Sequence, residues 1–300
     1  MPPPRGTFNP LEGPADYDMT SVVHNDSYPG IDPSKTDLTG KAVFISGASR
    51  GLGRAMSISF AKAGVSMLAL GARSDVSETV KAAQEAAAQA GRAEPKILSL
   101  KFDVSDRKGV DEAAQTVREQ FGRLDILVNN AGLLLTGFIA DSDPDDWMRV
   151  WSVNLMGPYL LTRAFIPLML ERGDKTIVTV SSVGAHCQMP GLSAYQMSKL
   201  AVLRLAEFVC AEYGDKGILA YSVHPGNVQT DMADGVVSPE LAPVFVETPE
   251  LSADSLVYLT SEKRDWLAGR YLNVTWDLPE LMRKKDSIVS GDKLKVRLVV

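Results

Sequence analysis

Seven short apolar runs recur along this 300-residue chain at intervals long enough for a crossover helix, and that rhythm limits the fold more than any single motif. The runs are KAVFIS, VSMLALG, KILSLKF, LDILVN, KTIVTVS, ILAYSVH and RYLNVTW, with helix-compatible stretches such as LGRAMSISFAKAG and ETVKAAQEAAAQAG between them. Strands of near-continuous apolar character, separated in this way, predict a parallel sheet covered by helices on both faces, an α/β doubly wound architecture. With 45% hydrophobic residues the chain can bury a full core, and its length suits one large domain better than two small ones. No internal repeat is evident.

The ends differ in character. Seven of the 17 prolines fall within the first 33 residues, so 1–37 is read as an extended proline-rich arm, with the regular domain over 38–278. Residues 279–300 form a basic tail. From Arg283 it carries six basic and two acidic residues, and its alternating apolar end, LKVRLVV, could pair with a sheet edge or a partner subunit. No stretch reaches the ~18 uninterrupted apolar residues of a membrane span, and MPPPRGTFNP lacks the apolar core of a signal peptide. Cys187 and Cys210 have neither metal-ligand spacing nor a disulfide-rich context. The expectation is a cytoplasmic protein with no metal and no membrane partner. A net charge of -6 also argues against a nucleic-acid surface, while leaving room for a local basic patch facing an anionic cofactor.

The first strand runs into FISGASRGLGRA, Phe44 to Ala55, which has two incompatible readings. Gly47 to Gly51 satisfies the G-x-S-x-G pattern of a serine-hydrolase elbow, with Ser49 as nucleophile and Asp125 plus His186 or His224 as nominal partners. Gly47, Gly51 and Gly53 together instead suggest a loop that lets the backbone approach a dinucleotide phosphate at a helix N-terminus. The third glycine, the position after the first strand and Arg50 beside the supposed nucleophile all favour the second reading.

Further on, TVSSVGAHCQMPGLSAYQMSK brings Ser182, Tyr195 and Lys199 into one segment. On a helix beginning near Ser193, Tyr195 and Lys199 lie about one turn apart on the same face. An ammonium near a phenol lowers its pKa, so the pair could exchange a proton with a carbonyl or alcohol oxygen, which a serine hydroxyl could also hold.

In this order the motifs resemble those of the classical short-chain dehydrogenase/reductase family over about residues 38 to 278. SGASRGLG matches the family's TGxxxGxG with Ser46 in the usual Thr position; Asp103 and Val104, NNAG at Asn129 to Gly132, Asn154, Ser182, Tyr195, Lys199 and HPGNVQT follow. The resemblance implies a single Rossmann-type domain with a seven-stranded parallel sheet. It implies Tyr195 as acid or base, Ser182 holding the substrate oxygen, Lys199 lowering the Tyr195 pKa and binding the nicotinamide ribose, and Asn154 holding a water for proton resupply. Cofactor contacts are implied for Gly47, Ser49, Arg50, Gly51, Leu52, Gly53, Asp103, Val104, Asn130, Ala131, Gly132, Pro225, Gly226, Val228 and Thr230. Taken without the family, Asp103 would instead be the N-cap of a helix beginning near Arg107.

An acid about 20 residues beyond the glycines binds the NAD ribose, whereas an Arg there accommodates the NADP phosphate. That count reaches Arg73, Ala72 occupies the family's acid position and Arg50 adds a second cation, so NADP(H) is favoured over NAD(H). A three-residue shift would make Asp75 the ribose acid. The segment at about 230–250 corresponds to the family's variable substrate loop, and its apolar content suggests a lid for a small apolar carbonyl or alcohol. His186, Cys187, Met189 and Leu192 are candidate pocket residues. Broad apolar faces including Trp147, Trp151, Leu200, Leu203, Phe208 and Val209 suggest a homodimer or homotetramer. The expected function is thus an NADP-dependent oxidoreductase acting on a carbonyl or alcohol. The alternatives are a non-redox isomerase, cyclase or binding module on the same fold and, more remotely, the Ser49 hydrolase.

Overall fold

The computed structural model describes residues 18–233 and 242–298. The first 17 residues of the expected arm, residues 234–241 of the expected substrate loop and the last two residues of the tail lie outside the described residues. Seven strands, all parallel, form one sheet in the order β3-β2-β1-β4-β5-β6-β7. They span Ala42–Ser46, Met67–Ala72, Lys96–Lys101, Ile126–Asn129, Thr176–Val180, Leu219–His224 and Tyr271–Asn273 in chain order. Six of the seven apolar runs read from the sequence contain one of them, and the second strand extends one residue past its run, to Ala72. Strands β1, β4, β5 and β6 are buried along their whole length, whereas the edge strand β3 is partly exposed, as burial on both faces of a central parallel strand requires.

Two apolar layers flank the sheet. The helix Arg107–Phe121 shows how sequence builds one of them: Val110, Ala113, Ala114, Val117 and Phe121 share its buried face at helical spacing. Asp106 caps it by accepting from the amides of Lys108 and Gly109, and Gly122, at φ 65°, ends it. The helical run Pro144–Glu171 is apolar and long enough by composition to cross a membrane, but Leu160, Leu161, Phe165 and Met169 are buried in the layer against the sheet.

The chain reverses direction across the sheet between β1 and β4, and at such a switch point the loops after neighbouring strands part to leave a crevice at the strands' C-terminal ends.

Neither terminal segment is peripheral where it is described. Val23 bridges Trp276, the His24 amide donates to the Thr275 carbonyl at 2.7 Å, and Ile31 and Leu38 are buried. In the tail, Leu281 and Ile288 are buried and the Tyr271 amide donates to the Leu294 carbonyl at 2.8 Å, closing the β7 edge. The boundaries read at 37 and 279 therefore do not divide folded from appended chain. Single apolar anchors set among prolines or charges carry no periodicity, so the pattern passes over them.

Candidate active site

A cleft of about 360 Å³ opens at the switch point. Its floor is built by the loop after β1. Gly53 lies inside the helix Gly51–Lys62, where a Cβ would stand 2.2 Å from the Gly47 carbonyl oxygen, so only glycine lets the helix start so close beneath the loop. No side chain caps that helix, and its start faces the cleft beside Gly47, Ser49, Arg50, Gly51 and Leu52. Uncapped amides at a helix N-terminus, with glycine backbone around them, fit a dinucleotide pyrophosphate. Ser46 explains the hydroxyl at its position: its Oγ accepts from the amides of Asn130 at 3.0 Å and Ala131 at 3.1 Å, locking the end of β4 to the end of β1. The Asn130 side chain returns the tie by donating to the Ser46 carbonyl at 2.9 Å.

One wall of the cleft forms at the ends of β2 and β3. Ala72, Arg73, Asp103 and Val104 line the cleft there, joined by Ser74 and Phe102, which no sequence motif singles out. Arg73 Nη1 stands 3.6 Å from Asp103 Oδ2. Asp75 is not among the cleft residues; its carboxylate accepts from the Ser77 hydroxyl and amide at the start of the next helix, which holds its pKa low. Asp103 is not a helix cap either, since Asp106 has that task and Asp103 Oδ1 accepts from Ser105 N at 2.9 Å.

At the other end, Ala131, Gly132, Tyr195, Lys199, Pro225 and Thr230 line the same cleft. The predicted helix is present over Ser193–Tyr213, and the Lys199 Nζ lies 5.7 Å from the Tyr195 ring centre. Lys199 is buried and donates to the Val180 carbonyl at 2.8 Å. Burial lowers its pKa to about 8. The expected lowering of the Tyr195 pKa is not found: burial raises it, opposed by a hydrogen bond with Ser182. The cause is burial of the phenol itself, while Lys199 directs a hydrogen bond to the Val180 carbonyl.

Asn154 sits in a π-helical turn, Ser152–Met156, that rotates its side chain inward. Its Oδ1 accepts from Leu133 N at 2.7 Å, and its Nδ2 donates to Leu133 O at 2.8 Å and Ser198 Oγ at 3.1 Å. The side chain thus clamps the backbone immediately after the NNAG segment. A Cβ on Gly132 would lie 3.6 Å from Asn154 Oδ1 and 3.7 Å from Lys199 Nζ, so the segment passes directly by both.

A second cavity of about 130 Å³ adjoins the first. Ser182, Gly226 and Val228 line it, and Leu52, Tyr195, Pro225, Thr230 and Met232 line both. Met189 and Leu192 are among its walls as expected, together with Val183 and Phe245. Cys187 and His186 are not: Cys187 Sγ accepts from Gln196 Nε2 at 3.2 Å, and the His186 ring meets Tyr271 edge-on at 4.6 Å. Asn227 and Gln229 are further site residues that the motif reading does not single out, although both stand in the HPGNVQT loop; His224, named above only as a hydrolase partner, lines the second cavity.

The hydrolase arrangement is not assembled. Asp125 accepts from Ala42 N at 2.8 Å, where β1 begins, and pairs with Arg123 at 2.6 Å. Ser49 follows β1, so the two lie at opposite ends of the strand. Among the described residues no cluster of His, Cys, Asp and Glu could hold a metal.

Residues 41–240 match the family model described as short chain dehydrogenase. The chain is 58% identical over its whole length to short chain dehydrogenase pigC of Monascus ruber, itself covered completely. It is 50% identical to short chain dehydrogenase citE of the same organism, over 95% of this chain and 98% of the relative. Among solved structures, a mutant short-chain dehydrogenase/reductase of Serratia marcescens superposes with a TM-score of 0.70 at 27% identity, covering 79% of this chain and 96% of that one.

Proposed function

The chain belongs to the short-chain dehydrogenase family, and we propose that it transfers a hydride between NADP(H) and a carbonyl or secondary alcohol of an apolar small molecule, with Tyr195 as acid or base. One observation carries this reading: Tyr195 stands where the glycine-floored cleft and the smaller apolar cavity meet, and Ser182 lines that same cavity. A nicotinamide bound in the cleft supplies or accepts the hydride.

The residues divide the remaining work. The glycine loop and the start of the helix at Gly51 bind the pyrophosphate, and Arg73 and Arg50 give the adenosine end the positive charge that a 2'-phosphate requires. Lys199, Pro225, Val228 and Thr230 orient the nicotinamide half. Ser182 holds the substrate oxygen beside the Tyr195 hydroxyl, which gives its proton to that oxygen in reduction and takes it back in oxidation. Asn154 fixes the Leu133 backbone and, through Ser198, the helix that carries Tyr195 and Lys199. Val183, Met189, Leu192 and Phe245 give the substrate cavity its apolar walls and support an apolar substrate.

Exposed Met197, Leu200 and Phe208 on the helix Ser193–Tyr213, beside Met148, Met156 and Tyr159 on the run Pro144–Glu171, support a homodimer or homotetramer. We place the reaction in the cytoplasm. A panel of apolar ketones and aldehydes, followed by nicotinamide absorbance with NADPH and NADH, tests the reading. Turnover that prefers NADPH supports it, and turnover with NADH alone would reverse the assignment of Arg73.

A further inference from the structure

The N-terminal arm is hydrogen-bonded to Thr248, next in the chain to a residue that packs on the wall of the substrate cavity. The arm is first anchored to the end of the sheet by the Val23 bridge to Trp276. It then crosses the start of the helix Pro249–Thr260, the element that follows the substrate loop. There the Asn25 carbonyl accepts from Thr248 N at 2.9 Å and Asp26 Oδ1 accepts from the Thr248 hydroxyl at 2.7 Å. That hydroxyl also caps the helix by accepting from Leu251 N. Thr248 is therefore held from both sides, and its neighbour Glu247 inherits a fixed position.

Glu247 faces the cavity wall. Its Oε2 accepts from Asn227 N at 2.8 Å, and its backbone pairs with Val228 in a parallel bridge. Gly226 has φ +84°, and a Cβ there would stand 2.9 Å from the Glu247 Cβ, so the Glu247 side chain lies flat on the loop. Gly226, Asn227 and Val228 are walls of the substrate cavity. An unbroken line of contacts thus runs from Asp26 through Thr248 and Glu247 to that wall.

We propose that the N-terminal arm is a working part of the substrate site, with Asp26 a positioning residue that sets the Gly226–Val228 wall through Thr248 and Glu247. The arm and the wall are separated by about 200 residues in sequence, which is why composition alone makes the arm look dispensable.

The test is amide hydrogen exchange on the full-length protein, with no substrate or cofactor added, so its outcome is independent of the oxidoreductase assignment. Asp26→Ala is expected to speed exchange in the segment 226–229 by about fivefold, the scale of one lost hydrogen bond. Asp26→Asn, which keeps the acceptor oxygen, is expected to restore the wild-type rate. Ser21→Ala, which removes one of the arm's contacts with Glu280, is expected to leave 226–229 unchanged. Should Asp26→Ala fold poorly, Thr248→Val compared with Thr248→Ser gives the same contrast. Faster exchange confined to the arm itself, with 226–229 at the wild-type rate, would overturn the proposal.

Discussion

Arg50 and Asp231 face each other across the mouth of the cofactor cleft, Nη1 to Oδ2 at 2.6 Å, joining the glycine loop to the residue that follows Thr230. The pair is largely exposed, so its own contribution to stability is small. Its consequence concerns charge: the guanidinium proposed to meet the 2'-phosphate is already engaged by a carboxylate.

Replacing that carboxylate should therefore release Arg50. Asp231→Asn is expected to tighten NADPH binding by about two- to fivefold, in line with an exposed ion pair, while NADH binding stays within error. Fluorescence titration of both cofactors checks it. An equal change for both would mean that the pair acts as a clasp over the shared part of the cofactor.

Arg73 offers the sharper test of cofactor choice. Only Asp103, at 3.6 Å, lies near enough to compete for it by an ion pair among the described residues. Arg73→Glu should lower the NADPH to NADH ratio of kcat/KM by about a hundredfold, because it replaces attraction with repulsion at a phosphate. A ratio unmoved by this change would remove Arg73 from the cofactor site.

Lys199 should cost the fold stability. Its pKa falls from the ordinary value of 10.5 to about 8 on burial, so the unfolded chain binds more protons than the native one between those values. Stability from this group accordingly rises with pH across that window, and below it the full cost of burying an ammonium is present. Lys199→Met should be more stable than wild type at pH 7 by about 1 to 3 kcal/mol, the lost bond to Val180 offsetting part of the gain. That advantage should shrink as pH rises from about 8 toward 10.5. Urea unfolding of both proteins at about pH 7 and about pH 10 measures it.

Two glycines should respond in opposite ways. Gly53→Ala drives a methyl group against the Gly47 carbonyl at 2.2 Å, and is expected to destabilise the protein by about 2 kcal/mol or more and to abolish cofactor binding. Gly214 has φ -65° with nothing within 4 Å of an added Cβ, so Gly214→Ala should be neutral or stabilising by about 0.5 kcal/mol. Thermal unfolding of the two variants gives the comparison.

The parts of this molecule that are legible in sequence share one property: their meaning is local. The seven strands, the glycine loop and the Tyr195–Lys199 helix each declare themselves by spacing within about 20 residues. What stays hidden depends on distant partners. The inward turn of Asn154 becomes intelligible only with Leu133 and Ser198 around it, and Asp231 acquires a role only opposite Arg50. The direction of the Tyr195 shift escapes the sequence for the same reason, since it is set by burial of the phenol, which only the assembled fold defines. Ile31 and Ile288 anchor the two ends singly, without a repeat that a pattern could detect.

Tyr195 is proposed to exchange the proton that accompanies the hydride. Its most direct test is Tyr195→Phe, with NADPH oxidation followed on an apolar ketone that the wild-type protein reduces and the NADPH dissociation constant measured alongside. The rate is expected to fall by about a hundredfold or more, with NADPH still bound at near wild-type affinity. A variant that reduces the ketone at the wild-type rate would contradict it.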